Sequence, residues 1–369
     1  MSATLVTGRR PQLDGLRALA VTAVLVHHLW DGLPHLVAEM AHQGVRLFFV
    51  LSGFLITRGL LRARIGGRTG GETLRHFWAR RFLRLLPPYY LTLAMMLALD
   101  MGGIRDSAVW HLAHASNIWF AWSGTWDPWV ANHFWSLAVE EQFYLLWPLF
   151  AIFLPWRALL PAALLAVALA PLARGLGTGW GANDMAMLGL LPMSFDALGI
   201  GAVLAILGPR AGCRPVWVGA MGLIPVLCLP WLELPPPLSA ALNDLLWAVP
   251  LGALVVLADR GMGGWPGRIL GHSWSVEVGR ISYGIYLYHP VLMWLAADFA
   301  LRTGLFAPLS GVSRLLVLAP VTVLLAALSY RRLEEPLMRL MPGGSAGYAV
   351  PTSPAPRSAA EPGSVSTGA

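Results

Sequence analysis

The sequence predicts an all-α polytopic membrane protein, a bundle of about ten transmembrane helices with both termini in the cytoplasm. Of its 369 residues, 56% are hydrophobic and only 12% are charged, a composition typical of membrane proteins rather than soluble domains. Apolar segments long enough to cross a bilayer, which takes about 20 helical residues, recur along the chain. All 26 basic residues are arginines, and they are distributed asymmetrically between the predicted loops.

The predicted spans follow one another with short connections. Their approximate bounds are 13–30, 45–61, 85–104, 134–154, 157–174, 184–207, 215–232, 239–258, 281–300 and 312–330. The segment 108–122 is a weaker candidate for a further span, because its His and Trp residues suit an interfacial or re-entrant helix better.

The arginine distribution sets the orientation. If the N-terminus lies in the cytoplasm, most arginines fall on that side, and an even number of crossings returns the C-terminus there. The arginines predicted outside are Arg46, Arg105, Arg174, Arg302 and Arg314. We expect a membrane domain over 1–342 and a disordered cytoplasmic tail over 343–369, which is built mainly of Gly, Ser, Pro and Ala. The net charge of +7 follows from this bias, so we expect no nucleic-acid partner.

The first span carries ionisable residues that a simple membrane anchor does not need. Asp14 and Arg17 lie near its start, and His27 and His28 lie near its end. Arg17 and His28 fall about 20° apart around a helix and about 16 Å apart along it. Because charges inside a span cost about 2.5–3.5 kcal/mol each, such residues usually face a polar cavity. The pattern predicts a polar channel with Arg17 and His28 at its two ends.

Arginines also gather where the third span enters the membrane. Arg81 and Arg84 are three apart on a helix, so they share a face and could bind phosphate oxygens. The simpler interpretation is anchoring on the cytoplasmic side. Together with Arg17, they favour an anionic, phosphate-bearing ligand.

Two carboxylates lie inside the fourth span. Ser136, Glu140 and Tyr144 follow i, i+4, i+8 spacing, and Glu141 is adjacent. One glutamate could pair with a buried arginine, or it could orient and charge a catalytic histidine. In the sixth span, Asp196 is a candidate partner for an arginine.

Other spans contain polar residues with simpler interpretations. Ser52 and Gly53 interrupt the second span, which favours close helix packing over ligand contact. In the ninth span, Tyr283, Tyr286 and His289 are three apart and could line a site. A metal site of His111, His114 and His133 is not supported by any carboxylate or cysteine spacing, so no metal ligand is predicted.

The motifs resemble those of acyltransferase family 3, the integral membrane O-acyltransferases that modify O-antigen, exopolysaccharides and macrolides. The matching stretches occur in family order and cover about 13–340: LDGLRALAV followed by His28, FFVLSGFLIT, RRFLRLLP, FWSLAVEEQFYLLWP, ISYGIYLYHP and SYRRLEEP. The resemblance implies transfer of an acyl group from cytoplasmic acyl-CoA to a hydroxyl, with no permanently bound cofactor. It implies a location in the bacterial cell membrane. Some family members carry an extracytoplasmic esterase-like domain; we expect the membrane domain or a partner to handle the acceptor here.

The resemblance maps the family's functional residues onto Arg17 and His28, Arg81 and Arg84, and Glu140 with its neighbours. Together with the placement of the residues along the spans, it suggests their roles. His28 becomes a general base or acyl carrier, and Glu140 or Glu141 would hold its imidazole. Arg17, Arg81 and Arg84 would bind the donor's phosphates, and the remaining residues would line the substrate path: Asp14, Ser136, Tyr144, Tyr283, Tyr286 and His289. The acceptor would be a hydroxyl-bearing glycan or a secondary metabolite.

Two alternatives stay open. A transporter or flippase for a lipid-linked sugar or small solute would also need intramembrane charges, although we find no inverted repeat. A non-catalytic relative with a role in assembly is disfavoured, because the candidate site residues are intact.

Overall fold

The computed structural model describes residues 10–30, 35–208, 215–304 and 309–340, without the side chains of 35–38, 215–217, 220 and 230. Within these ranges all regular secondary structure is helical, which confirms the all-α prediction. The α-helices are α1 (Pro11–Leu29), α2 (His35–Ile65), α3 (Gly70–Ala98), α4 (Ala108–Leu112), α5 (Ser116–Ser123), α6 (Phe134–Phe153), α7 (Trp156–Gly179), α8 (Asp184–Gly189), α9 (Phe195–Leu207), α10 (Pro215–Cys228), α11 (Pro236–Arg260), α12 (Gly264–Gly271), α13 (Ser273–Arg280), α14 (Ser282–Thr303), α15 (Gly311–Ser329) and α16 (Glu335–Arg339). The predicted tail, 343–369, lies outside the described residues.

Several of these helices are long and apolar enough to cross a membrane. Five meet that criterion, and a bent pair formed by α3 with Met101–Leu112 could make a sixth. The five are Glu39–Ile65, Trp156–Gly179, Pro236–Arg260, Ser282–Thr303 and Gly311–Arg339. Each of the ten predicted spans overlaps helical structure, but α1, α6, α9, α10 and α3 by itself do not meet the criterion, so the number of about ten spans stays a prediction. Helices α1 and α6 contain ionisable residues of the predicted site, and these residues lower the mean hydropathy of the helices.

The segment 108–122 does not form one continuous helix. It contains α4, of five residues, and α5, of eight, after a bend of 103° at the end of α3. Neither helix reaches the roughly 20 residues that a span needs. The predicted sixth span is divided as well, into α8, a 3₁₀ turn over Leu191–Ser194 and α9.

Helices α2 and α9 cross with their backbones almost in contact. A Cβ added at Gly53 would lie 2.0 Å from the Leu198 carbonyl oxygen, and one at Gly201 would lie 2.2 Å from that of Val50. Only glycine fits at such distances, as in other close helix crossings in membranes. The packing role predicted for Gly53 is therefore confirmed.

A buried ion cluster connects four helices. Asp196 on α9 is fully buried and accepts hydrogen bonds from Arg46 on α2 at 2.7 Å and from Arg174 on α7 at 2.6 Å. Arg46 also binds Asp244 on α11 at 3.0 Å. The predicted arginine partner of Asp196 is confirmed. Arg46 and Arg174 are 2% and 3% exposed, so they are core residues rather than the outer-loop residues predicted from the charge bias.

Helix α1 packs directly against one other helix that carries predicted site residues, α14. Helix α1 also packs against α2, α12 and α13. Close approach at its start depends on glycine, because a Cβ at Gly279 would lie 1.8 Å from the Asp14 carbonyl oxygen. This packing fixes the face of α1 that bears Arg17 and His28 against its neighbours.

Candidate active site

Three adjoining cavities extend between the predicted arginines and the predicted histidine. We call them the basic cavity, the central cavity and the histidine cavity, of about 320, 80 and 270 Å³. The basic and central cavities share the walls formed by Arg81 and Arg84. The central and histidine cavities share Val45 and Tyr286. The cavities adjoin through these shared walls, and a continuous polar channel from Arg17 to His28 stays a prediction.

The central cavity brings together most of the predicted site residues. Helices α1, α3, α6 and α14 contribute them, although they are far apart in the sequence. The predicted residues in its wall are Arg17, Arg81, Arg84, Ser136, Glu140, Tyr144, Tyr283 and Tyr286. Of the remaining ones, His28 lines the histidine cavity and His289 contacts His28.

Asp14 and Glu141 do not line any of the three cavities. Asp14 accepts a hydrogen bond from Arg17 at 3.2 Å, which fixes the guanidinium from the same helix. Glu141 is only 7% exposed, and it follows Glu140, which does line the central cavity, by about 100° around the helix. Asp14 thus contacts Arg17, and the substrate-lining role predicted for it stays a prediction.

The basic cavity is lined by both cationic and apolar side chains. Its polar and charged wall residues are Arg68, Thr73, His76, Arg80, Arg81 and Arg84. The Nε atoms of Arg81 and Arg84 are buried and have no hydrogen-bond partner within the described residues. Because an unsatisfied buried donor is costly, these two atoms are available for an anionic ligand.

Arg81 is held in place by the aromatic face of Tyr144. Its guanidinium carbon lies 4.2 Å from the centre of the Tyr144 ring, a favourable cation–π distance. The hydroxyl of Tyr144 lies 3.1 Å from Ser52 Oγ, and Ser52 donates to Glu140 Oε1 at 2.6 Å. Glu140 is therefore part of a hydrogen-bonded chain at the arginine end of the central cavity.

The wall between the central and histidine cavities contains a pair of hydroxyl groups. Tyr286 Oη and Ser136 Oγ are 2.6 Å apart, and the Tyr286 hydroxyl also lies 3.3 Å from the His133 carbonyl oxygen. Both side chains are buried. This pair joins α14 to α6 at the point where the two cavities meet.

His28 has a different partner from the one predicted. Its Nδ1 lies 2.7 Å from His289 Nε2, whereas Glu140 binds Ser52 and Glu141 lies outside the cavities. The prediction that a glutamate holds the imidazole of His28 is therefore wrong for this structure. Catalytic roles of Glu140 and Glu141 stay predictions.

The histidine cavity contains residues that the sequence reasoning missed. Trp126, Asn132 and Trp135 lie in its wall, as does His42, whose Nε2 donates to Asp244 at 3.1 Å. One signal could have found His42, since His42, Val45 and Phe49 follow the i, i+3, i+7 spacing of one helix face. No local signal marks the others, which depend on tertiary folding.

The three histidines considered as metal ligands are held in separate contacts. His111 lies 3.1 Å from Ser107 Oγ, His133 lies 3.3 Å from the Leu287 carbonyl oxygen, and His114 packs on the Tyr89 ring. Across the described ranges, no group of three or more His, Cys, Asp or Glu side chains is arranged to hold a metal ion.

Comparison with known proteins identifies the family. A family model described as an acyltransferase domain matches residues 10–331. The chain is 29% identical to the peptidoglycan O-acetyltransferase OatA of Listeria monocytogenes, over 89% of this chain and 56% of that protein. It is 31% identical to YrhL of Bacillus subtilis, over 89% of this chain and 54% of that protein.

A shorter match covers part of the chain. The chain is 34% identical to the O-acetyltransferase OatA of Staphylococcus aureus, over 40% of this chain and 25% of that protein. The chain spans about half the length of the first two relatives, and no solved structure matches it. The family model covers nearly all of the described residues, and the chain belongs to this acyltransferase family.

Proposed function

We propose that this chain is an integral membrane O-acyltransferase that moves an acetyl or other short acyl group from acyl-CoA to a hydroxyl of a glycan. The observation that carries the proposal is the succession of three adjoining cavities, the first lined by Arg81 and Arg84 with their unpartnered Nε donors and the last lined by His28. Family membership supports the acyl-transfer chemistry, and the names of two relatives, which refer to O-acetylation, support acetyl as the group transferred.

The donor's phosphates would bind in the basic cavity. The buried Nε atoms of Arg81 and Arg84 lack partners in the described structure, and guanidinium groups bind phosphate through several oriented N–H donors. Arg17 would receive the part of the donor that enters the central cavity. The apolar residues of the basic cavity, Leu55, Leu60 and Phe77 among them, would contact the donor's carbon atoms.

The thioester would then reach the wall formed by Tyr286 and Ser136. There, the imidazole of His28 would accept the proton of the acceptor hydroxyl while the oxygen attacks the thioester carbonyl carbon. Collapse of the tetrahedral intermediate breaks the C–S bond, and the thiolate takes the proton from the imidazolium. In the alternative order, the imidazole of His28 attacks the thioester and the thiolate leaves. The acceptor oxygen then attacks the acyl-imidazole, the C–N bond breaks, and the hydroxyl proton ends on the thiolate. General-base catalysis of this kind is worth about 10²–10⁴ in rate.

The acceptor would bind in the histidine cavity. Trp126 and Trp135 offer faces against which a sugar ring can pack, and Asn132 offers both a donor and an acceptor for hydroxyl groups. The name of the Listeria relative refers to peptidoglycan, so we propose a cell-wall glycan as the acceptor in preference to a secondary metabolite.

The proposed placement is the bacterial cell membrane, with about ten crossings and both termini in the cytoplasm. The distribution of the arginines supports this orientation, because arginine-rich loops usually face the cytoplasm. Arg68, Arg80, Arg81 and Arg84 belong to the longest such loop and to the start of the span that follows it. Acyl-CoA would then enter from the cytoplasm, and the histidine cavity would lie toward the opposite surface.

The experiment measures acyl transfer in membranes that contain the full-length protein. Radiolabelled acetyl-CoA is supplied with soluble peptidoglycan fragments, and both thiol release and label on the glycan are followed. We expect transfer that depends on the acceptor and is lost in His28→Ala. The matched control is His272→Asn, because His272 caps α13 away from the cavities and Asn retains the capping function.

Several results would contradict the proposal. Full transfer by His28→Ala would remove the base assigned here. Solute or lipid-linked sugar movement without thiol release would favour a transporter. Transfer to a macrolide but not to glycan would replace the proposed acceptor class.

A further inference from the structure

We propose that His289 is a positioning residue for His28, and that it fixes the tautomer of His28 in which Nε2 carries the free lone pair. The inference rests on the proposed role of His28 as the base that accepts the hydroxyl proton. It replaces the predicted glutamate with a histidine from another helix as the group that orients this base.

The two imidazoles are arranged edge to edge in nearly one plane. Their planes differ by 10° and their centres are 4.9 Å apart, while His28 Nδ1 and His289 Nε2 are 2.7 Å apart. Each ring nitrogen lies about one ring radius from the centre of its own ring. The N–N distance and the two radii together equal the distance between the ring centres, so the two nitrogens lie on the line between the centres. The hydrogen bond therefore lies on the line that joins the rings, and the N–H of one ring points along the lone pair of the other.

The direction of this hydrogen bond follows from the other contact of His289. Its Nδ1 lies 3.2 Å from the Ile285 carbonyl oxygen, and a carbonyl oxygen only accepts, so Nδ1 must carry the proton. A neutral imidazole has one N–H and one lone pair, so Nε2 of His289 must accept. His28 Nδ1 is then the donor.

Burial favours the neutral form of His289. Its side chain is 1% exposed, and its ring neighbours are His28, His133 and Tyr286. None of these is a carboxylate that could balance an imidazolium in the described structure, and an unpaired buried charge is costly. The assignment of donor and acceptor therefore follows from the chemistry of the partners.

The consequence for His28 is specific. With Nδ1 protonated and engaged, the lone pair of the neutral ring lies on Nε2, which has no hydrogen-bond partner within the described residues. His28 lines the histidine cavity, so Nε2 is the atom left to take a proton from an acceptor hydroxyl. His28 lies in the last turn of α1, where helices fray, and a fixed partner on α14 gives its ring one orientation.

The test uses three substitutions of His289 in the full-length protein. His289→Gln can place an amide oxygen near the former Nε2 and still accept from His28. His289→Asn is also an amide but is one methylene shorter, so it retains the reach to the Ile285 carbonyl and loses the reach to His28. His289→Leu removes both contacts. For each variant, kcat and KM are measured for acetyl-CoA and for peptidoglycan fragments, beside the thermal stability in detergent.

We expect kcat to fall at least about tenfold in His289→Asn and His289→Leu. A His28 ring in the wrong orientation or tautomer loses part of the rate enhancement of roughly 10²–10⁴ that general-base catalysis supplies. The KM for acetyl-CoA should stay within about twofold, because the arginines are untouched. His289→Gln should retain most of the parental kcat. The comparison of Gln with Asn decides the matter even if the Leu variant folds poorly.

Two outcomes would overturn the inference. One is parental kcat in the Asn and Leu variants while His28→Ala is inactive, which leaves the proposed function intact. The other is an equal loss of kcat and stability in all three variants, which indicates a purely structural role for His289. Parental activity of His28→Ala contradicts the proposed function itself and removes the basis of this inference.

Discussion

At the scale of single residues, the arginines of the basic cavity differ from most other arginines of the chain in their contacts. Arg46 and Arg174 are matched with carboxylates in the core, and Arg302 and Arg339 pair with carboxylates one helical turn away. Arg81 and Arg84 have no carboxylate at ion-pair distance in the described structure, and their Nε atoms are buried without a partner, as is that of Arg46. A buried guanidinium with no carboxylate partner and an unpartnered N–H is suited to an acceptor supplied by a ligand.

Replacing both Arg81 and Arg84 with Ala should raise the KM for acetyl-CoA by about 10–100-fold, since hydrogen bonds to charged groups are worth about 1.5–3 kcal/mol. The turnover number should change much less, because His28 and its partner remain. Steady-state kinetics with varied acetyl-CoA measure the effect. Arg339→Ala is the control, because Arg339 is exposed and pairs with Glu335. An unchanged KM in the double variant would be evidence against a phosphate site here.

At the scale of elements, helix α2 has a crowded face and an open face. Gly53 lies against the backbone of α9, whereas nothing lies within 4 Å of a Cβ added at Gly59 on the same helix. The same helix presents Val45, Phe49 and Ser52 to the central cavity. The crossing with α9 therefore also determines where one wall of the site stands.

Gly53→Ala should destabilise the protein by about 1–3 kcal/mol, the usual cost of forcing an extra methyl group into a packed contact. Gly59→Ala should be neutral or stabilising, by up to about 0.5–1 kcal/mol, because Ala favours the helix. Thermal unfolding in detergent compares the two. Equal stability of the two variants would mean that α2 and α9 do not cross as closely as described here.

At the scale of the whole molecule, the ion cluster around Asp196 joins α2, α7, α9 and α11 beside the histidine cavity. His42 connects the two regions, because it lines that cavity and binds Asp244. Removing one partner of a buried ion pair leaves its other charges uncompensated. The cluster is therefore a point at which a single substitution affects several helices.

Asp196→Asn should cost about 3–5 kcal/mol of stability, the range for breaking a buried pair. Asp298→Asn should cost about 0–1 kcal/mol, because its partner Arg302 is 74% exposed. The yield of folded protein and its thermal unfolding in detergent provide the measurement. A loss in Asp298→Asn as large as that in Asp196→Asn would show that burial is not the decisive difference.

The orientation in the membrane can be tested with introduced cysteines. After Cys213 and Cys228 are replaced with Ser, a single cysteine is placed at Trp122, which is 73% exposed, or at Arg75. A membrane-impermeant maleimide applied to intact cells should label the cysteine at 122 and leave the one at 75 unlabelled until the cells are opened. The reverse pattern would invert the proposed topology and place the basic cavity outside.

The sequence predicts the parts of the fold and site that depend on one helix at a time. The polar stripe from Arg17 to His28 and the stripe of Ser136, Glu140 and Tyr144 follow from helical periodicity. The partner of His28 does not, because His289 belongs to a helix 261 positions away and a neighbouring glutamate fitted the pattern equally well. The burial of Arg46 was missed for the same reason, since its carboxylates lie on other helices.

The hydroxyl pair of Tyr286 and Ser136 has a consequence for the cell's energy supply. A water-filled passage that was open at both ends would let protons and ions run down their gradients across the membrane. Tyr286 lines both the central and the histidine cavities, and its buried hydroxyl lies 2.6 Å from that of Ser136. We expect this hydrogen-bonded pair to keep the two cavities apart, so that an acyl group passes toward the other surface without a leak of ions.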